Sequence, residues 1–151
     1  MNKYMEAAFK QAREGMHSGK GGPFGAAIEK NGEILSIASN EVLISNDPTA
    51  HAEIVAIRRA CQKLQTYDLS GCTLYSTGEP CPMCLSAIIW ANIRTVIYAC
   101  CAEEAEKIGF RDRMIYRHLR GEEHILNIRK LECEDAAALY QEYQSMGNVI
   151  Y

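Results

Sequence analysis

Basic excess is the first thing this sequence lacks. Its 151 residues carry 16 Lys and Arg against 19 Asp and Glu, a formal charge of −3, which supplies no positive field for grasping a long nucleic acid. It also lacks any apolar run near the ~20 residues of a membrane span. The opening Asn2-Lys3-Tyr4-Met5-Glu6 lacks the apolar core of a secretory signal. Only four prolines and 11 glycines are present, and 48% of residues are hydrophobic against 23% charged, which excludes collagen-like, low-complexity and disordered classes. The length suits one domain, 1–151, by the rule of roughly 150 residues per domain. Such a domain buries about 70% of its unfolded surface and needs no staples to fold.

What is abundant is cysteine, with seven residues at Cys61, Cys72, Cys81, Cys84, Cys100, Cys101 and Cys133. The number is odd, the spacing irregular and no export signal is evident, so a reduced, cytoplasmic chain is expected rather than a disulfide framework. Five of the seven read as packing residues, small hydrophobes of the kind proteins bury. Only Cys81-Pro82-Met83-Cys84 has ligand spacing, entered through Gly78-Glu79-Pro80.

Along the chain, Met5, Phe9, Ala12 and Met16 predict a helix over Lys3–His17, capped by Asn2. Phe24–Lys30 and Glu33–Ser39 read as a hairpin joined by Asn31-Gly32. A polar loop, Asn40–Pro48, leads to a second helix with Asp47 or Thr49 as cap, Pro48 in its first turn and an end near Leu64. Cys72–Thr77 and Thr95–Ala99 read as strands around a helix over Cys81–Ala91, and Leu126–Leu131 as a fifth strand. Helices are expected over Ala102–Ile108, Met114–Leu119 and Glu134–Met146. The alternation predicts a three-layer α/β/α fold with a mixed five-stranded sheet. The glycine-rich Gly15–Gly21 stretch is not a phosphate loop: it is one residue short of the Walker spacing and precedes a strand instead of following one.

His51-Ala52-Glu53 is expected in the first turn of the second helix and Pro80-Cys81-Pro82-Met83-Cys84 in that of the third. One imidazole and two thiolates make three ligands where a tetrahedral zinc takes four, and no further Cys or His has matching spacing. The fourth position is then left to water, as in a catalytic site. Helix starts also favour anionic sulfur, through free amide hydrogens and the positive end of the dipole. Two positions beyond the histidine, Glu53 is turned away from the metal direction and is a candidate proton carrier. Taken singly, His-x-Glu is a chance motif, and Cys-x-x-Cys fits a redox pair or half a structural zinc knuckle. The combination, each half opening a helix, is far more specific.

His-x-Glu followed by Pro-Cys-x-x-Cys is the signature of zinc-dependent nucleobase deaminases. The sequence resembles the cytidine and deoxycytidylate deaminase superfamily over nearly its whole length, and within it the small bacterial guanine deaminases. The resemblance is carried by Gly21-Gly22-Pro23-Phe24-Gly25-Ala26, by the segment from Ser45 to Glu53, by Gly78 to Cys84, by Gly109-Phe110-Arg111-Asp112 with Ile115-Tyr116, and by Tyr151. It implies one zinc ion per subunit on His51, Cys81 and Cys84, with Glu53 as proton shuttle. It further implies that Asn40 and Phe24 contact the base and that Asp112 assists the departing amine. The backbone near Ala52 would orient the base, and Trp90 and Tyr151 would lie near the pocket. The implied reaction is hydrolysis of guanine to xanthine and ammonia, by a homodimer with a swapped C-terminal tail.

Three alternatives stay open on sequence. A tRNA adenosine deaminase shares the Asp-Pro-Thr-Ala-His-Ala-Glu segment, although the acidic chain argues against RNA. Cytosine or another small aminated heterocycle would fit the same chemistry. A non-catalytic zinc-stabilised interaction module would need neither Glu53 nor an open coordination position. Nucleic acid and membrane are not expected partners.

Overall fold

A computed structural model describes residues 2–151. The first helix, α1, spans Lys3–His17 and is capped as its sequence predicts: the Asn2 side chain accepts from the Met5 amide at 2.9 Å. Strands β1 (Gly25–Lys30) and β2 (Glu33–Ser39) form an antiparallel hairpin. Asn31 and Gly32 turn it with φ of 52° and 88°, the two positive values that this two-residue turn requires. A short helix α2 (Val42–Ser45) occupies the expected loop, and α3 runs from Ala52 to Leu64. Then follow β3 (Thr73–Gly78), α4 (Pro82–Trp90), β4 (Thr95–Cys100), α5 (Ala102–Lys107), α6 (Asp112–Leu119) and α7 (Glu134–Ser145).

The sheet order is β2-β1-β3-β4, with β1 antiparallel to both neighbours and β3 parallel to β4. Side-chain alternation along β1 divides the core. Ala27, with Tyr75, faces α1 through Met5 and Ala8. Ala26 and Ile28, with Leu74, face α3 and α4 through Val55, Ala56, Ala60 and Ile88. Ile28, Leu69, Leu74 and Ile93 are wholly buried, each contributing about 1.5–3 kcal/mol of transfer free energy. The three-layer α/β/α arrangement with a mixed sheet is as expected.

The strand count is not. The sheet has four strands among the described residues, and the stretch expected as a fifth, Leu126–Leu131, joins none of them. Leu126 and Ile128 alternate as in a strand, yet both are exposed, as is Leu131. Alternation is a local property, whereas a strand exists only where a neighbour takes up its backbone hydrogen bonds.

The start of α3 is also corrected. Its N-cap is His51, not Asp47 or Thr49, and Pro48 lies ahead of the helix. The Asp47 carboxylate is used locally, accepting from the Thr49 amide at 2.8 Å and the Thr49 hydroxyl at 2.6 Å. That turn competes with helix capping and wins.

Candidate active site

Two helix starts meet on one side of the sheet. His51 is the N-cap of α3 and Cys81 the N-cap of α4, both with extended backbone. Cys84 follows in the first turn of α4, after Pro82, whose missing amide costs nothing there. Neither cap side chain bonds its own helix, which leaves both free to point at each other. The His51 Nδ1 atom lies 3.6 Å from Cys81 Sγ and 3.5 Å from Cys84 Sγ. A tetrahedral zinc with bonds of about 2.0–2.1 Å to nitrogen and 2.3 Å to sulfur requires ligands ~3.6 Å apart. Both nitrogen–sulfur distances therefore match a tetrahedral zinc ion, and the three ligand atoms lie within 4.8 Å of one another.

The two thiols are driven in opposite directions. The hydrogen bond from Cys84 holds Cys81 down at about 4, with His51 adding to the effect. The same hydrogen bond, together with burial, drives Cys84 upward. Beside Cys81, His51 is raised above its ordinary value. Two adjacent thiolates repel unless a cation lies between them.

A cavity of about 420 Å³ opens at these ligands and is lined in part by Phe24, Asn40, His51, Glu53, Phe110 and Asp112. Glu53 is only 6% exposed, and Ser76 Oγ donates to its Oε1 at 3.3 Å. Burial pushes its carboxyl upward. Asp112 starts α6 and is likewise raised, first by burial and then by the Cys81 charge.

Asn40 is 5% exposed, and its Oδ1 accepts from the Val42 amide at 3.1 Å, so its NH2 group remains to donate into the cavity. Phe24 and Phe110 meet edge to face, with ring centroids 4.7 Å apart. Gly22 and Gly78 make room for this pair, since a Cβ on either would press on a phenyl ring at 2.8 to 3.2 Å. No Lys or Arg lines the cavity.

Of the residues singled out in the sequence, His51, Glu53, Cys81, Asn40, Phe24 and Asp112 line the cavity, with Cys84 against His51 behind it. Ala52 is wholly buried beneath. Trp90 and Tyr151 are not among the lining residues of this chain. They are exposed and lie near one another, their rings 6.4 Å apart. Sequence reasoning missed Gly21, Ser76, Glu79 and Phe110 as parts of the site, although Gly21, Glu79 and Phe110 all lie inside the motifs it quoted. Gly21 yields a direct test, because a Cβ there would come to 2.0 Å from Asn40 Oδ1. Gly21→Ala is expected to displace Asn40 and lower kcat/KM by about 10–100-fold, the scale of a 1 Å misplacement. Circular dichroism and zinc content should stay unchanged. Wild-type kcat/KM in that variant would remove Asn40 from the site.

The chain can now be set beside known proteins. It is 42% identical to guanine deaminase of Bacillus subtilis (strain 168) over 147 residues, 96% of this chain and 94% of that protein. The crystal structure of guanine deaminase from Bacillus subtilis superposes with a TM-score of 0.93 at 41% identity, covering 100% of this chain and 99% of that one. A tRNA-specific adenosine deaminase of Aquifex aeolicus is 45% identical over 96 residues, 64% of this chain and 63% of that protein. Residues 1–100 match the family described as the cytidine and deoxycytidylate deaminase zinc-binding region. With its ligands at zinc spacing and that match spanning α1 to α4 and the whole sheet, the chain belongs to the cytidine and deoxycytidylate deaminase family.

Proposed function

We propose that this protein hydrolyses guanine to xanthine and ammonia. The observation that carries the proposal is the pairing of two raised carboxyls, Glu53 and Asp112, across an aromatic-walled cavity beside the three zinc ligands. Guanine has an apolar ring face, acceptors along one edge and an amidine edge rich in N–H donors. The Phe24–Phe110 wall suits the face, the Asn40 NH2 group an acceptor, and the Asp112 carboxylate the donors. Zinc held by His51, Cys81 and Cys84 would supply a water whose pKa is lowered to about 7. Glu53 would take one proton from the attacking water and give it to the ring nitrogen beside the reacting carbon. It would then take the remaining proton from the hydroxyl now on that carbon and pass it to the exocyclic amine, which leaves as ammonia, assisted by Asp112. Water's oxygen remains on the ring carbon, so guanine and water balance xanthine and ammonia.

The runner-up is deamination of adenosine in tRNA, supported by 45% identity over the segment shared with the Aquifex aeolicus enzyme. The match that spans the whole chain favours guanine. A cavity without Lys or Arg also suits an uncharged base better than a phosphate-bearing strand. A non-catalytic module would have no use for a carboxyl buried beside the ligands, since burial of such a group costs stability. The test is ammonia release from zinc-loaded protein given guanine, cytosine or adenosine-containing tRNA. Release from guanine alone is expected, and release only from tRNA would overturn the proposal.

The protein is further read as a cytoplasmic homodimer that exchanges its C-terminal tail. Leu126, Ile128, Leu131, Leu139, Val149 and Ile150 are exposed on one protomer, an apolar surface suited to a second copy. No helix among the described residues is long and apolar enough to cross a membrane. Light scattering should report a dimer that is lost when residues 125–151 are removed; a dimer that survives the deletion excludes the exchange.

A further inference from the structure

The geometry points to Glu79 as a positioning residue that fixes the substrate-binding helices α5 and α6 against the zinc-ligand loop. Phe110 and Asp112 reach the cavity from the turn between those two helices. That unit follows β4, the edge strand of the sheet, and so lacks the two-sided strand support that β1 and β3 receive. Among the described residues, one side-chain hydrogen bond joins residues 2–100 to the α5–α6 unit. It is the bond in which Glu79 Oε2 accepts from the Ala102 amide at 2.9 Å.

Glu79 is itself held firmly. It follows β3, and its own amide donates to the Cys100 carbonyl at 2.7 Å, continuing the parallel pairing of Gly78 with Cys100. One residue later, Pro80 and Cys81 begin the ligand segment. The residue therefore spans the two halves of the site: its backbone leads into the ligands, and its carboxylate holds the first amide of α5. A charged acceptor on a free amide at a helix start is stronger than a neutral one. Cys101, the N-cap, forms a capping box with Glu104, its side chain facing the Glu104 amide and its own amide donating to Glu104 Oε2 at 2.7 Å, and neither contact reaches the Ala102 amide. Holding that first amide thus falls to a residue from across the fold. The Phe24–Phe110 contact is the other tie to the body, but an edge-to-face pair allows sliding where a hydrogen bond fixes distance and direction.

This inference rests on the reading of Asp112 and Phe110 as substrate contacts. Its test has one readout that does not. Glu79→Gln keeps the length and an oxygen acceptor but removes the charge, while Glu79→Asp keeps the charge but falls one methylene short of Ala102. Hydrogen exchange over residues 102–107 should accelerate about tenfold or more in the Asp variant, which loses the anchoring bond, and less in the Gln variant, which keeps a weaker neutral one. With guanine, Glu79→Asp should lose about 10–100-fold in kcat/KM and Glu79→Gln less than that, because only the shorter side chain gives up the bond to Ala102. That loss should shrink below about threefold in a chain already carrying Asp112→Asn, because residues acting through one another are not additive.

The opposite order, with the Gln variant the more damaged at unchanged exchange, would make the Glu79 charge itself a substrate contact and overturn the proposal. So would unchanged exchange in both variants. If guanine proves not to be a substrate, the exchange result still decides whether Glu79 anchors the unit.

Discussion

Glu53→Gln is expected to lower turnover of guanine by about a hundredfold to ten-thousandfold, the range measured for losing a positioned general acid–base group. Zinc content should remain at one ion per chain. The substitution is nearly isosteric, so the buried volume at α3 is kept. The Gln amide oxygen can still accept from Ser76 Oγ, the partner that Glu53 has at 3.3 Å. Removing a buried carboxyl also relieves the desolvation that raises its proton affinity, so the fold should lose little. What disappears is the buried carboxyl that the proposed cycle uses to collect a proton and return it twice. Wild-type turnover in this variant would end the mechanism. Loss of zinc together with activity would instead make Glu53 a metal ligand.

Removing the metal is expected to have the second largest effect. Chelation should abolish activity and lower the melting temperature. Zinc at a hundredfold above its dissociation constant adds about 2.7 kcal/mol to the folded state. For a chain of this size each kcal/mol moves the midpoint by about 2–4 °C, so a fall of roughly 5–10 °C should be seen by calorimetry. The pH dependence has a definite sign. Cysteine ligands bind as thiolates, and without the cation Cys84 keeps its proton while Cys81 takes the charge. Zinc must displace that proton, so its apparent affinity should rise about tenfold per pH unit for each proton released. The dependence should steepen on the acidic side, where the raised His51 imidazolium must also give up a proton before Nδ1 can bind. Competition with a chelator at several pH values measures this directly. A flat profile would show that the thiols are not the ligands.

Most features that depend on near neighbours were readable from the sequence; the exception is the α3 cap, where Asp47 spends its carboxylate on Thr49 and leaves the position to His51. Asn2 capping α1, Asn31-Gly32 turning the hairpin, Pro82 in the first turn of α4 and the spacing of Cys81 and Cys84 are all local, and all stand as read. Their physics acts over a few residues, so a linear reading reaches them. The tertiary structure alone decided the rest. Whether Leu126–Leu131 is a strand depended on a neighbouring strand to take up its backbone hydrogen bonds. The cavity joins Gly21, Phe24, Asn40, Glu53, Glu79, Phe110 and Asp112, which are brought together only by the order β2-β1-β3-β4. Ligand identity was therefore legible in the chain because coordination chemistry restricts the residue types at fixed spacing. The shape that selects a base was not, because no local rule sets the distance between side chains on separate elements.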